Sequence, residues 1–126
     1  MIDYNEDTLA YTVEFDELYV CWDDEPEDEE ICERTAGDLR KAYLANINLA
    51  NINKIAETIK PELVETYGDE VSGMSNDQIT KKLGKPQIYP DSGHVDYVEQ
   101  EFDDVHVISF EFDDDFSCID NITIDG

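Results

Sequence analysis

The chain has 126 residues, 40% of them apolar, and its 33 Asp and Glu against 8 Lys and Arg give a formal net charge of −25. That length is typical of one domain, and it is enough to bury a core without disulfides or a metal. The charge repels nucleic acid and anionic membranes and attracts cationic proteins. We therefore expect a single acidic domain over residues 1–126 with a basic protein partner, no direct nucleic-acid binding and no membrane association.

The negative charge is concentrated towards the two ends of the sequence. Residues 1–33 contain 14 acidic side chains and residues 86–126 contain 12, and neither segment has a Lys or Arg. Residues 34–85 contain 7 acidic and all 8 basic side chains. A chain made acidic only for solubility would be acidic throughout. The distribution favours one continuous acidic surface, provided that the two ends fold side by side, with general solubility as the alternative.

Targeting signals and disulfides are not expected. No segment approaches the roughly 18 continuous apolar residues of a membrane span, and the first residues lack the basic and apolar regions of a signal peptide. The three cysteines, Cys21, Cys32 and Cys118, form no C-x-x-C motif, which argues against a disulfide framework and a zinc ribbon. We expect free thiols, no cofactor and a cytoplasmic location.

The first predicted elements form an N-terminal β-hairpin. Apolar and polar residues alternate over 11–15, which predicts a half-buried strand, and Asp16-Glu17 can turn the chain into a second strand over 18–22. Seven acids then surround Pro26 in residues 23–30, which predicts a solvated loop.

Residues 35–83 are predicted to be helical. Thr35 is the expected first N-cap, and apolar residues follow at helical spacing. Asn residues are poor in helix interiors, so four of them between residues 46 and 53 predict a break near 46–48. Pro61 is expected to start a further helical turn, and Gly68 to end it.

A second helical signal follows. Ser75 and Gln78 form a capping box, which predicts a helix over 76–83 that ends at Gly84. Pro86 cannot continue that helix.

The C-terminal part is predicted to be a β-meander. The pattern gives strands over 87–89, 95–102, 105–112 and 116–124, joined by a turn at 90–93, by Asp103-Asp104 and by 113–115. Loops this short would place Phe110 opposite Tyr97 and Phe112 opposite both Val95 and Phe116. Asp120 would fall on the apolar face, so a bulge is expected there.

The predicted fold class is therefore α+β. An antiparallel sheet of about four to six strands, made of the N-terminal hairpin and the C-terminal meander, would carry the helices of residues 35–83 on one face. The acids would lie on the other face and in the turns.

Catalytic and metal-binding signatures are lacking. No nucleotide-binding, zinc-protease or serine-hydrolase motif occurs, and the aspartate-rich turns do not match a calcium loop. In the predicted register His106 faces Glu101 in an ordinary cross-strand contact, and Cys118 is a core thiol and not a nucleophile. The carboxylates lie in solvated runs, whereas a catalytic pair needs one carboxyl group shifted by burial. We predict no enzymatic activity, no catalytic residue and no designed metal site.

Residues 36–126 resemble a group of small bacterial proteins of unknown function and immunity proteins of polymorphic and contact-dependent toxin systems. Four fold-type motifs carry the resemblance: Tyr43-Leu44-Ala45-Asn46, Leu83-Gly84-Lys85-Pro86-Gln87-Ile88, Asp103-Asp104-Val105-His106-Val107-Ile108 and Asn121-Ile122-Thr123-Ile124-Asp125-Gly126. The resemblance implies a cytoplasmic α+β protein that binds and blocks a cognate toxin, often a nuclease. It implies no particular interface residues, because such surfaces diverge with the toxin.

The leading hypothesis is an immunity or inhibitor protein that neutralises a basic cognate toxin through an acidic surface. Trp22 is included as an aromatic anchor, with a core position as its alternative. The predicted partner-binding residues are Trp22, Asp23, Asp24, Glu25, Glu27, Asp28, Glu29, Glu30, Asp103, Asp104, Asp113, Asp114 and Asp115. Two other functions stay open: a nucleic-acid mimic that inhibits a DNA- or RNA-binding protein, and a small enzyme or cation-binding protein.

Overall fold

The structure, a computed structural model, describes residues 2–47, 54–103, 105–113, 116 and 119–125. These residues form an α+β fold with a mixed sheet and four helices. The strands are β1 (Asp3–Asn5), β2 (Ala10–Glu14), β3 (Tyr19–Trp22), β4 (Gln87–Tyr89), β5 (His94–Tyr97), β6 (Val107–Phe112) and β7 (Ile119–Asp125). The helices are α1 (Glu29–Ile47), α2 (Lys54–Tyr67), α3 (Asp69–Ser72) and α4 (Asn76–Leu83).

The seven strands lie across the sheet in chain order, from β1 to β7. Each neighbouring pair is antiparallel except β3 and β4, which are parallel and pair Tyr19 with Gln87. A parallel pair needs a long crossover, and the helical segment between these strands supplies it. The sheet is thus mixed and has more strands than the four to six predicted. The N-terminal hairpin is confirmed, with Tyr11 opposite Trp22.

Two separate cores lie on the two faces of the sheet. Buried residues of all four helices share one cluster with alternating sheet residues such as Val20, Val95 and Phe110. A smaller cluster, Ala10, Tyr19 and Cys21, contains no residue of the described helices. We call the first side the helix-covered face and the second the open face.

The N-cap of the first helix lies seven residues earlier than predicted. Asp28, and not Thr35, precedes the helix, and the Asp28 carboxylate accepts a hydrogen bond from the backbone N–H of Ile31 at 3.1 Å. Glu29 and Glu30 occupy the first turn, where carboxylates are favoured by the helix dipole. The end of the acidic run is therefore helical and not part of a loop.

The predictions for the later helices were partly correct. Pro61 lies inside α2 and starts no new turn, so that prediction was wrong. Gly68, with φ of +76°, follows the last residue of α2 as predicted. The Ser75–Gln78 capping box is confirmed, with both reciprocal hydrogen bonds, and α4 ends before Gly84. α1 ends at Ile47, and the rest of the predicted break lies outside the described residues.

The predicted register between β5 and β6 was wrong by two residues, and the predicted pairing of Phe112 with Phe116 was also wrong, because Phe112 pairs with Ile119. Val95 pairs with Phe110 and Tyr97 pairs with Ile108. The reason is that β5 stops at Tyr97, so a long connection replaces the two-residue loop at Asp103-Asp104. The alternation, and with it the face assigned to these residues, is unchanged because the shift is even.

The predicted bulge is present in β7. The pairing shifts by one residue between the Ser109–Thr123 and Glu111–Asp120 pairs. Asn121 lies at the shift with a left-handed φ of +48°, which Asn tolerates better than most residues. The bulge turns Asp120 to the exposed side.

Candidate functional site

The two acidic segments of the sequence form the two halves of one sheet. Residues 1–33 contain β1 to β3, residues 86–126 contain β4 to β7, and the β3–β4 pair joins them. Seven of the eight basic residues lie in the helices, and the eighth, Lys85, lies two residues after the end of α4. Charge is therefore divided between an acidic sheet and a helical layer that is close to neutral.

Acidic connections meet at one end of the sheet. The strand directions bring four connections to the same end of the sheet. They are the β1–β2 turn (residues 6–9), the β3–α1 connection (23–28), the β4–β5 turn (90–93) and the β6–β7 connection, which begins at Asp113. We call this set of connections the acidic end. The opposite end carries the β2–β3 turn and the β5–β6 connection.

The β3–α1 connection supplies the densest charge of the acidic end. Asp23, Asp24, Glu25 and Glu27 are all exposed. Within the described parts of the chain, none of these four carboxylates has a hydrogen-bond or ion-pair partner, apart from long-range electrostatic effects. They can therefore turn towards an incoming cationic group without giving up an internal contact.

The remaining predicted residues of that run serve the fold. The Asp28 carboxylate caps α1, and Glu29 accepts a hydrogen bond from the backbone N–H of Ile2 at 2.9 Å, which ties down β1. Glu30 forms an exposed ion pair with Arg34 at 3.7 Å along α1. Such exposed i, i+4 pairs contribute about 0.3–0.5 kcal/mol, so this one leaves Glu30 easily recruited by a partner.

Trp22 belongs to the core. Its side chain is 5% exposed and lies in the cluster shared with the helices, so it cannot act as an exposed aromatic anchor without rearrangement of the fold. The alternative interpretation, a strand-end core residue, describes its position.

Asp103 lies at the opposite end of the sheet from the β3–α1 connection. Its carboxylate accepts hydrogen bonds from the backbone N–H groups of Val105 and His106, at 3.1 and 3.0 Å, and contacts His106 Nδ1 at 2.5 Å. The Gln100 side chain adds a further bond at 3.0 Å. Desolvation alone would raise the pKa of Asp103, but these hydrogen bonds outweigh it and hold the pKa well below its usual range. Asp103 thus organises the β5–β6 connection as an ionised group, and the histidine faces this aspartate and not Glu101.

Asp113 is exposed at the acidic end, where the β6–β7 connection begins. It borders a shallow cleft of about 250 Å³ that is also lined by Glu111, Asp120 and Asn121. The predicted binding residues Asp104, Asp114 and Asp115, and the thiol of Cys118, lie outside the described residues.

The open face carries acids that were not singled out from the sequence. Across the strands, Asp96 pairs with Ser109 and accepts a hydrogen bond from its hydroxyl at 2.7 Å, and Glu111 pairs with Asp120. Their alternation with core residues of β5 to β7 was the available signal, because residues between buried positions point to the other face. Further acids at the same strand alternation are Asp3, Glu14 and Asp125.

Aromatic and polar groups occupy the middle of the open face. The rings of Tyr89 and His94 stack with centroids 4.7 Å apart, and His94 contacts Ser92 at 2.5 Å and Asp96 at 3.3 Å. Cys21 is fully buried beneath, and burial raises the pKa of its thiol, which disfavours a nucleophilic thiolate.

Among the described residues, two carboxyl groups have clearly lowered pKa values: Glu17, held by a bidentate pair with Arg40, and Asp103. Both are committed to contacts within the fold. Within the residues that the structure covers, no group of three or more His, Cys, Asp or Glu side chains is arranged to hold a metal ion. Among the helices described, none combines the length and hydrophobicity of a membrane-spanning segment.

No protein-family model matches this chain, and no curated protein or solved structure is significantly similar to it. The resemblance to immunity proteins therefore stays a prediction.

Proposed function

We propose that this chain is a cytoplasmic immunity or inhibitor protein that binds a basic cognate toxin, such as a nuclease, through the acidic end of its sheet. One observation carries the proposal: the parallel β3–β4 pair joins two acidic segments, distant in sequence, in one sheet. A chain that is acidic only for solubility has no reason to keep its cations in the helical layer.

The carboxylates of the β3–α1 connection are the predicted contact residues. Asp24, Glu25 and Glu27 are exposed in an irregular segment, and Asp113 lies at the same end of the sheet. Charge complementarity of this kind raises the association rate and the specificity more than it raises affinity. It therefore suits an inhibitor that has to reach a toxin before the toxin reaches its target.

The test starts from the basic protein that the chain captures in its source cell, and it measures the association rate against salt concentration. The Debye length is about 10 Å at 0.1 M salt, so the rate should fall at least about tenfold between low and high salt. The triple variant Asp24→Asn, Glu25→Gln, Glu27→Gln should lower the association rate several-fold at low salt, and the captured protein should lose its toxic activity when bound to the wild-type chain.

A matched control removes three charges from the helical layer: Glu57→Gln, Glu62→Gln and Glu65→Gln, all exposed on α2. This variant should associate nearly as fast as the wild type. An association rate independent of salt, or equal loss in both triple variants, would contradict the proposal. If the captured protein is instead a DNA- or RNA-binding protein, and its nucleic acid competes with the chain for binding, the chain is a nucleic-acid mimic and not a toxin inhibitor.

A further inference from the structure

β7 is the longest strand of the sheet and lies at its edge. It has seven residues, and within the described part of the chain only β6 pairs with it. In an antiparallel pair, alternate residues direct their N–H and C=O groups towards one neighbour, so three or four residues of β7 direct theirs outwards. The other edge strand, β1, has only three residues and offers far less backbone.

The side chains of β7 differ sharply between the two faces. Ile122 and Ile124 are half-buried and pack against the core under the helices. Asp120, Thr123 and Asp125 are exposed and alternate with them on the open face, apart from the bulge. A strand laid beside β7 would therefore meet apolar groups on one side and carboxylates on the other.

The charges select the partner. A second copy of this chain, itself at net −25, would bring further carboxylates against Asp120 and Asp125, and like charges directly opposite are destabilising. Charges and bulges on an edge strand are the means by which proteins prevent uncontrolled pairing. An extended segment whose side chains alternate between basic and apolar would satisfy both faces of β7.

We propose that the edge of β7 is a docking strand for an extended, alternately basic and apolar segment of the partner protein, which would become an eighth strand of the sheet. The inference deepens the proposed function, because β7 starts at the acidic end, where Ile119 pairs with Phe112. The acidic end would speed the encounter, and the strand addition would hold the bound state.

The probe is a short synthetic peptide of alternating lysine and valine, followed by amide-resolved NMR of the full chain. Binding should slow hydrogen exchange in residues 119–125 and leave β1 unaffected. Two further peptides carry N-methyl groups on one or the other set of alternate amides, so that they match in composition and number of methyl groups. Blocking the set that faces β7 should weaken binding roughly tenfold or more, whereas blocking the other set should not. A shift by one residue cannot rescue the blocked peptide, because it would place lysines against the isoleucines.

Charge variants provide the second readout. Asp120→Asn with Asp125→Asn should weaken binding of the unmodified peptide several-fold, and the equally charged control Glu57→Gln with Glu62→Gln should not. Equal binding of both methylated peptides, failure of the unmodified peptide to bind, or self-association of the chain through β7 would overturn the inference. None of these results bears on the salt-dependent capture of a basic protein by the acidic end, so the two proposals can fail separately.

Discussion

Tyr43 of α1 and Tyr97 of β5 join their hydroxyl groups across the core at 2.8 Å, with both side chains almost completely buried. Tyr97→Phe leaves the Tyr43 hydroxyl without a partner, and a buried polar group left unpaired costs about 1–3 kcal/mol. Tyr43→Phe does the same to Tyr97. The double variant removes both hydroxyl groups together, so it should cost no more than about 1 kcal/mol, although the two single costs add up to about 2–6 kcal/mol.

Urea denaturation of the four proteins, followed by the fluorescence of Trp22, measures this cycle. Trp22 is the single tryptophan of the chain and lies in the same core cluster, so its signal reports loss of the packing between helices and sheet. Each single variant should also lower the melting temperature by about 3–6 °C per kcal/mol. A double variant that loses the sum of the single losses would refute the reasoning, because it would mean that the two hydroxyl groups do not depend on each other.

Three further predictions concern isolated positions. Leu9 has a left-handed φ of +58° in the β1–β2 turn, and its side chain is 73% exposed. Leu9→Gly should therefore stabilise the fold by about 1 kcal/mol, measured as a rise in the urea midpoint. A fall in the midpoint would show that packing of the leucine side chain outweighs the backbone strain. The pKa of Asp103 is lowered in the folded state, so its contribution to stability is present above the unfolded value of about 4 and is lost as the pH falls through the folded value. Asp103→Asn should be less stable than the wild type at neutral pH and should lose less stability on acidification. The same loss of unfolding free energy in both proteins as the pH falls would contradict this. Burial raises the pKa of both the Cys21 and the Cys32 thiols, but Cys32 is partly exposed whereas Cys21 is buried. Iodoacetamide should therefore alkylate Cys32 before Cys21 in the native protein, as located by peptide mass mapping.

Local signals in the sequence were reliable where a residue's own chemistry decides the conformation. The Ser75 capping box, the Gly68 stop and the hairpin turn at Asp16-Glu17 each follow from hydrogen bonds or backbone freedom within a few residues. The bulge near Asp120 also followed, because an acid at an apolar position of a strand needs a change of register.

The pairing of strands distant in the chain was harder to predict from the sequence. The sequence predicted two long strands joined by a two-residue loop at Asp103-Asp104. Instead, the Asp103 carboxylate accepts hydrogen bonds from the N–H groups of Val105 and His106, and the segment between Tyr97 and Val107 is a long connection. The parallel β3–β4 pair could not be read from local pattern at all, since both strands are short and their partners lie more than sixty residues apart in the chain. That pair makes the sheet mixed.

The candidate site was predictable in its charge and not in its residues. The separation of acidic ends from a near-neutral middle was visible in the sequence, and it corresponds to the division of the structure into strands and helices. The sequence did not show that Asp28 and Glu29 make hydrogen bonds within the fold. Nor did it show that Asp103 lies at the end of the sheet opposite the acidic end, or that Trp22 is buried. Those roles depend on contacts with α1, β1 and the β5–β6 connection.

The central claim is that the negative potential is concentrated on the sheet and its acidic end, and it can be tested without knowledge of the partner. Cationic and anionic paramagnetic cosolutes, compared at each backbone amide by NMR relaxation, report the local electrostatic potential near the surface. We predict the most negative potential at residues 23–28 and along the open face of β5 to β7, and a much weaker potential over the exposed sides of α1, α2 and α4. An equally negative potential over those helices would contradict the account and leave solubility as the explanation of the acidity.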